Sequence, residues 1–258
     1  MGQQRIAITR ELSRSIGNCQ LTHLDRVPIH LERAQAQHRG YVRALQAADW
    51  EVISLPEELE LPDSVFVEDT AIVLDGLAII TRPGAASRRP ETKAMQKELA
   101  KLLPVASISD SAQLDGGDVL VLGKQIFVGM SSRSTHAAVT ELAELTRLLG
   151  YRVEAVSVEA CLHLKSAVTC LDPETVLINP HWVAPEVFGA YRQIEVDPTE
   201  PDAANCVDLG SKILHGAAYP RTRQRIEAAG FAVEALPLDE LAKAEGAASC
   251  CSLLIRID

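Results

Sequence analysis

The sequence predicts an α/β protein made of five similar units, closed into a propeller-like ring around one central site. Three observations lead to this reading. Five stretches share one plan: a polar or acidic leader among small residues and a short strand, followed in the first four by a tight turn and a second strand. Their leaders Asp69, Asp118, His163, Asn205 and Cys250 are spaced by 49, 45, 42 and 45 positions, a period that marks repeat architectures and often propellers. The fifth stretch has one strand only, and a strand at the other end of the chain is available to complete it. Such closure removes an exposed sheet edge and points every leader into one central space.

In chain order, residues 5–9 read as a short strand and 18–29 as polar and irregular. Residues 30–48 read as an amphipathic helix with Ala34, Tyr41, Val42, Leu45 and Ala48 on one face, and 50–55 as the next strand. The first unit then has strand 70–74, the turn Asp75-Gly76, strand 77–81 and helix 91–103. The second has strand 119–122, the turn Gly123-Lys124, strand 125–129 and helix 134–149. The third has strand 167–171, the turn Asp172-Pro173-Glu174 and strand 175–179. The fourth has strand 206–209, the turn Gly210-Ser211, strand 212–215 and helix 222–229. The fifth has the single strand 251–255.

Composition excludes several classes. A chain of 258 residues, 47% hydrophobic and 23% charged, is long enough for a large core and ordinary for a soluble protein. No apolar run approaches the roughly 20 residues of a membrane span, and the first residues lack a secretory pattern. A cytoplasmic location is expected. The six cysteines show no pairing framework and no CxxC motif. A net charge of −10 argues against nucleic acid and favours cationic or small ligands.

The chemistry-bearing residues begin with the small-residue run Glu245-Gly246-Ala247-Ala248-Ser249, which leads into Cys250-Cys251. Small residues before a strand let the backbone turn sharply and a ligand approach. Two buried, inert thiols are the plain alternative. Cysteine, histidine and carboxylates that converge from different units suggest nucleophilic catalysis. The thiolate attacks, the histidine moves protons and a carboxylate orients the histidine. Glu68-Asp69 lies between the apolar runs 65–67 and 71–73. Buried carboxylates need partners, and without an internal base the partner is a cationic substrate. Arg88, Arg89 and Arg133 follow the first two hairpins and suit a carboxylate, or else are solvated loop charges. A planar cation at one end and a carboxylate at the other describe an arginine-like ligand.

Eight motifs in fixed order then meet a known pattern. They are Leu61-Pro62-Asp63-Ser64-Val65-Phe66-Val67-Glu68-Asp69, Ile80-Thr81-Arg82-Pro83-Gly84-Ala85, Ser87-Arg88-Arg89, Leu114-Asp115-Gly116-Gly117-Asp118-Val119-Leu120, Phe127-Val128-Gly129, His163-Leu164-Lys165-Ser166, Ala203-Ala204-Asn205-Cys206 and Ser249-Cys250-Cys251-Ser252. Together they closely resemble the dimethylarginine dimethylaminohydrolase (dimethylargininase) family over nearly the whole chain. The resemblance implies the guanidino-modifying (pentein) superfamily. It implies a five-bladed α/β-propeller of ββαβ units, and a single catalytic domain over residues 1–258.

Matched by position, Cys250 is expected as nucleophile, His163 as general acid/base and Asp115 as its supporting carboxylate. Asp69 is expected to hold the guanidinium. Asp63, Arg88 and Arg133 are expected at the amino-acid end, with Glu68 in the same pocket. Leu21 falls on a mobile loop over the site, and Ala244 is expected to offer its backbone carbonyl to the substrate amino group. The chain departs from the family pattern at Arg133-Ser134-Thr135, where Arg-Thr-Asn is expected, and in the lid segment 19–26. The implied reaction gives citrulline and dimethylamine through a covalent Cys250 adduct, with no metal or organic cofactor. The implied partner is a small cationic methylarginine, not nucleic acid or membrane, and a homodimer is allowed. An arginine deiminase-like guanidino hydrolase and a non-catalytic thiol-sensing or binding protein are the alternatives. Amine release on turnover separates the last from both enzymes.

Overall fold

A computed structural model describes residues 4–257. The chain forms β1 (Gln4–Arg10), α1 (Leu31–Ala47) and β2 (Glu51–Leu55), and then enters the repeats. Unit one is β3 (Ala71–Leu74), β4 (Leu77–Ile80), α2 (Thr92–Leu99) and β5 (Val105–Ser107). Unit two is β6 (Val119–Leu122), β7 (Gln125–Gly129), α3 (His136–Thr146) and β8 (Arg152–Val156). Unit three opens with the one-turn helix α4 (Leu164–Ala167), followed by β9 (Val168–Asp172), β10 (Thr175–Ile178) and β11 (Arg192–Glu195). Unit four is β12 (Cys206–Asp208), β13 (Ile213–Gly216), α5 (Pro220–Ala228) and β14 (Val233–Leu236). A short helix α6 (Asp239–Ala242) leads to β15 (Leu253–Ile257).

Each unit is a three-stranded sheet with one pattern: an antiparallel hairpin whose second strand pairs in parallel with a third. The hairpins of units one and two close in two residues. At Asp75-Gly76 only the second central residue, the glycine, has positive φ (+73°), as a type II turn requires and a Cβ disfavours. The fifth sheet has the order β15-β1-β2, with β15 antiparallel to β1 and β1 parallel to β2. The expected completion of the last unit by the first strand is therefore present.

The core is five apolar wedges, each between neighbouring units. Ile72 and Ile79 of unit one meet Val119 and Ile126 of unit two, and Leu120 and Phe127 meet Val168 and Val176 of unit three. Leu171 and Leu177 meet Cys206 and Ile213 of unit four, and Val207 and Leu214 meet Ala7 and Tyr41 of unit five. Ile8 and Leu253 of unit five return to Ala71 and Ile80 of unit one. No sheet lacks a neighbour on either side, so strands such as β10 are buried on both faces and read as continuous apolar runs. This is the five-bladed α/β-propeller (pentein) arrangement.

Three local expectations change. Each unit has a third strand (β5, β8, β11 and β14) beyond the hairpin read from the sequence. The helix expected over 91–103 stops at Leu99, and the one over 134–149 runs only from His136 to Thr146 before a 3₁₀ turn. The expected strand 251–255 begins at Leu253, and Ser249–Cys251 form a 3₁₀ turn instead.

Candidate active site

That last change recurs in every unit. Short 3₁₀ turns at Val67–Thr70, Gly116–Asp118, Pro201–Ala204 and Ser249–Cys251, with α4 behind His163, form the five heads. Neighbouring heads touch, so leaders far apart in sequence converge. Asp63, Asp69, Arg88, Arg133, His163 and Cys250 line one small enclosed cavity, together with Gln20, Phe66, Leu162, Ala244 and Glu245.

His163 is buried between two carboxylates. Its Nε2 is 3.0 Å from Asp115 Oδ2, and its Nδ1 is 3.8 Å from Asp69 Oδ1. Asp115 is held in turn by the Gly84 N–H, which donates to Oδ1 at 2.8 Å, and by Arg133 at 3.6 Å. Gly117 N–H donates to Asp69 Oδ1 at 2.9 Å. A Cβ at Gly117 would lie 2.6 Å from His163 Nδ1 and 2.8 Å from Asp69 Oδ1, so only glycine fits in this part of the motif. Asp118 takes no place in the cavity. It accepts from Ser131 and Ser134 Oγ at 2.5 and 2.6 Å and from Leu164 N–H at 3.0 Å, which fixes the backbone just after His163. The departure at Ser134 thus keeps a hydroxyl on this carboxylate.

The acids are not waiting for a substrate alone. Arg88 is buried and donates through Nη1 to Asp69, through Nε and Nη2 to Glu91 (3.2 and 2.9 Å), and through Nη2 to the Phe66 carbonyl (3.0 Å). Arg88 is therefore no solvated loop charge. Arg89 stays outside the cavity and donates to the Pro83 carbonyl at 3.1 Å. Glu68 does not line the cavity either. Its carboxylate takes Lys165 Nζ at 2.6 Å and Ser249 Oγ at 2.7 Å, and Ser249 is joined to Asn205 by two hydrogen bonds of 2.9 Å. This network is a partition. Beyond it lies a larger cavity of ≈230 Å³ between the first strands of the units, lined by Glu68, Lys165 and Arg256 but not by Cys250 or His163. The smaller cavity is the candidate site, because Cys250 and His163 both line it. Lys165 and Glu91 escaped sequence reasoning, although Lys165 sits two residues from His163 on the same motif.

Cys250 is half-buried and faces the cavity, with the Ala247 N–H donating to its Sγ at 3.4 Å. Cys251 is fully buried among Ala7, Tyr41 and Leu45. Two successive residues of a 3₁₀ turn, not of a strand, send these thiols to different places. Leu21 packs on the same apolar wedge as Cys250, in the irregular segment that follows Gln20. Ala244 lines the cavity, as does Glu245 after it.

Electrostatics set the resting charges. Burial opposes charge on His163, but Asp69, the Asp115 hydrogen bond and Asp118 raise its pKa to about 9. Burial would also raise Asp69, yet His163, Arg88 and the Gly117 N–H draw it down to about 2. Burial, then the charges of Glu68 and Asp69, push the Cys250 thiol well above its ordinary range. At neutral pH the site holds an imidazolium and a neutral thiol. Three carboxylates (Asp63, Asp69 and Glu245) and three cations (Arg88, Arg133 and His163) line the cavity, so both ends of a zwitterionic ligand would meet an opposite charge. Ligand atoms of Asp69, Asp115 and His163 lie within 4.8 Å of one another, a spacing suited to a metal ion, but they are already bonded to each other, to main-chain N–H groups and to Arg88.

The family model "N,N dimethylarginine dimethylhydrolase, eukaryotic" matches residues 13–182. N(G),N(G)-dimethylarginine dimethylaminohydrolase of Streptomyces coelicolor is 36% identical over 97% of this chain and 96% of its own. The chain belongs to the dimethylarginine dimethylaminohydrolase family. The enzyme of that name from Pseudomonas aeruginosa is 34% identical over 86% of this chain and 88% of its own. A crystal structure of a Cys-to-Ser mutant of the P. aeruginosa DDAH complexed with citrulline superposes with TM-score 0.93 at 31% identity, over 99% of this chain and 100% of that one. The N-terminal domain of ArgZ, an arginine dihydrolase of cyanobacteria, shares the fold at TM-score 0.87 and 20% identity. Among the described residues, no helix is long and apolar enough to cross a membrane.

Proposed function

We propose that the protein hydrolyses Nω-methylated arginine to citrulline and a methylamine through a covalent adduct on Cys250. The observation that carries this reading is the shared enclosed cavity of Cys250, Asp69 and a His163 held charged between two carboxylates. The substrate guanidinium approaches Asp69, and its positive charge offsets the carboxylates that hold Cys250 as a thiol. The thiol proton leaves to water, and the thiolate adds to the guanidinium carbon. His163 then protonates the departing amine, and the C–N bond breaks to leave an S-linked thiouronium. Neutral His163 takes a proton from water as that water attacks the same carbon. Collapse forms the C=O bond and breaks the C–S bond, and the hydroxyl proton passes to the departing sulfur, which releases citrulline and restores the Cys250 thiol. Asp115 keeps the imidazole oriented, and Arg133 and Asp63 face the amino-acid end. Every step uses side chains, substrate and water. The cytoplasm remains the proposed setting.

A substrate panel tests the reading: asymmetric dimethylarginine, monomethylarginine, arginine and a guanidine without an amino-acid end. Citrulline with dimethylamine, and a Cys250 adduct mass after rapid quenching, are expected. Faster ammonia release from arginine would move the protein to a deiminase. No turnover of any guanidine would leave a binding or thiol-sensing protein.

A further inference from the structure

The segment that crosses the cavity, residues 20–26, has no regular structure, and the side chains of Thr22 to Arg26 are exposed. Of its side chains, Leu21 packs on the apolar wedge. Three side chains of the cavity hold the rest. Gln20 N–H donates to both oxygens of Asp63 at 3.1 and 3.0 Å, and Arg133 Nη2 donates to Thr22 Oγ1 at 2.8 Å. Glu245 does most. Its carboxylate receives the N–H groups of Thr22 (3.0 Å), His23 (2.5 Å) and Leu24 (2.8 Å). Three donors on one carboxylate form a charge-assisted clamp. At its far limb the segment is tied by Arg26, which donates to the carbonyls of Gly17 and Cys19 at 2.5 and 2.6 Å.

A second observation concerns the backbone. Glu245 has φ +58°, a conformation that glycine adopts freely and a side chain opposes. The next residue is Gly246, yet the left-handed position carries the glutamate. Local strain of this kind persists where the surroundings fix it and is concentrated at functional sites.

We propose that Glu245 is the latch of a lid formed by residues 20–26. It is a positioning residue that selects guanidines bearing an amino-acid end. The lid is fastened by Asp63, Arg133 and Glu245, and all three line the cavity. Asp63 and Arg133 also face the amino-acid end under the proposed function, on which this inference rests. A ligand with an ammonium and a carboxylate therefore meets its recognition groups only in the arrangement that the closed lid holds. A guanidine without that end gains nothing from closure.

The test uses Glu245→Gln, of the same shape, and Glu245→Gly, which removes the carboxylate and relieves the backbone. Three readouts are followed without substrate: amide exchange at 22–24, proteolytic cleavage within 20–26, and alkylation of Cys250 by iodoacetamide. Loss of charged hydrogen bonds predicts at least ~10-fold faster exchange and alkylation in both variants, with the melting temperature of Glu245→Gly nearly unchanged. With substrate, KM for methylarginine rises by a similar factor while kcat/KM for a guanidine without an amino-acid end stays. Unchanged exchange and alkylation overturn the latch. A raised KM with an unaltered lid also overturns it and makes Glu245 a direct ligand of the ammonium. Absence of turnover by the parent protein would fail the proposed function but leave the exchange and alkylation comparison able to decide the latch.

Discussion

Arg88 donates to the carboxylate of Asp69 inside the cavity, so the group proposed to receive a guanidinium already holds one. The sequence alone left these acids without an internal base, and the structure supplies Arg88 between Asp69 and Glu91. An arriving substrate therefore joins a filled ion-pair cluster, not a bare acid.

Asp69→Asn keeps the size and turns an acceptor into a donor. Arg88 retains Glu91, so the variant should fold. Loss of a buried charged hydrogen bond costs on the order of 2–5 kcal/mol, or roughly thirty-fold to several thousand-fold in kcat/KM for cationic substrates. Near-normal turnover of dimethylarginine would remove Asp69 from the pocket.

Arg88 and Arg133 should now differ. Arg88→Ala leaves Asp69 and Glu91 buried without their base, and loss of one partner of a buried pair costs ~3–5 kcal/mol of stability. Denaturant unfolding should show it, with activity falling on every guanidine alike. Arg133→Ala removes contacts to Asp115 and Thr22 near the amino-acid end. It should raise KM for methylarginine far more than for a small guanidine. Equal effects of the two variants would contradict this.

Cys250→Ser should abolish turnover, and Cys251→Ser should keep most of it, because only the first thiol faces the cavity. The reverse result would discard the nucleophile assignment.

The Cys250 thiol can be titrated by its alkylation rate, read by peptide mass spectrometry. The midpoint should lie above the ordinary thiol range, since burial and the charges of Glu68 and Asp69 oppose the thiolate. Glu68→Gln should lower the midpoint. Lys165→Met should raise it, because Lys165 balances Glu68 across a 2.6 Å bond. A raised midpoint in Glu68→Gln or a lowered one in Lys165→Met would exclude this electrostatic account.

His163 also sets a pH dependence of stability. Its folded pKa of about 9 exceeds the ordinary 6.5, so the folded state binds the proton more tightly. That contribution, at most about 3 kcal/mol, is complete below pH 6.5 and lost as pH rises through 9. Unfolding midpoints should fall across this window, and His163→Asn should flatten the fall.

The ring was legible because it leaves strong marks. Each hairpin is a pair of apolar runs around a turn of Gly, Pro or Asp, and the spacing of leaders repeats. The third strands were not legible: β5 is three residues long and only partly buried, so it shows no alternation. The heads were missed for another reason. Gly116-Gly117 and Ser249-Cys250 have little intrinsic preference for a helical turn, and contacts between units impose it. In the site, Cys250, His163 and Asp69 stood out because each leads a unit. Glu91 reads as the first residue of a surface helix, and only the fold shows that it is buried against Arg88. Glu245 lies 221 to 223 residues from the N–H groups it grips, and no local pattern announces such a contact.

In four sheets a peptide turn joins the first two strands. In the fifth, β15 and β1 have no turn between them and meet through hydrogen bonds and side-chain packing, beside the turn that carries Cys250. That seam is the clasp of the ring. If it slips, the thiol parts from His163 while the other four hairpins remain intact. Activity should therefore vanish at lower denaturant than bulk secondary structure does, and catalysis becomes a gauge of whether the clasp is shut.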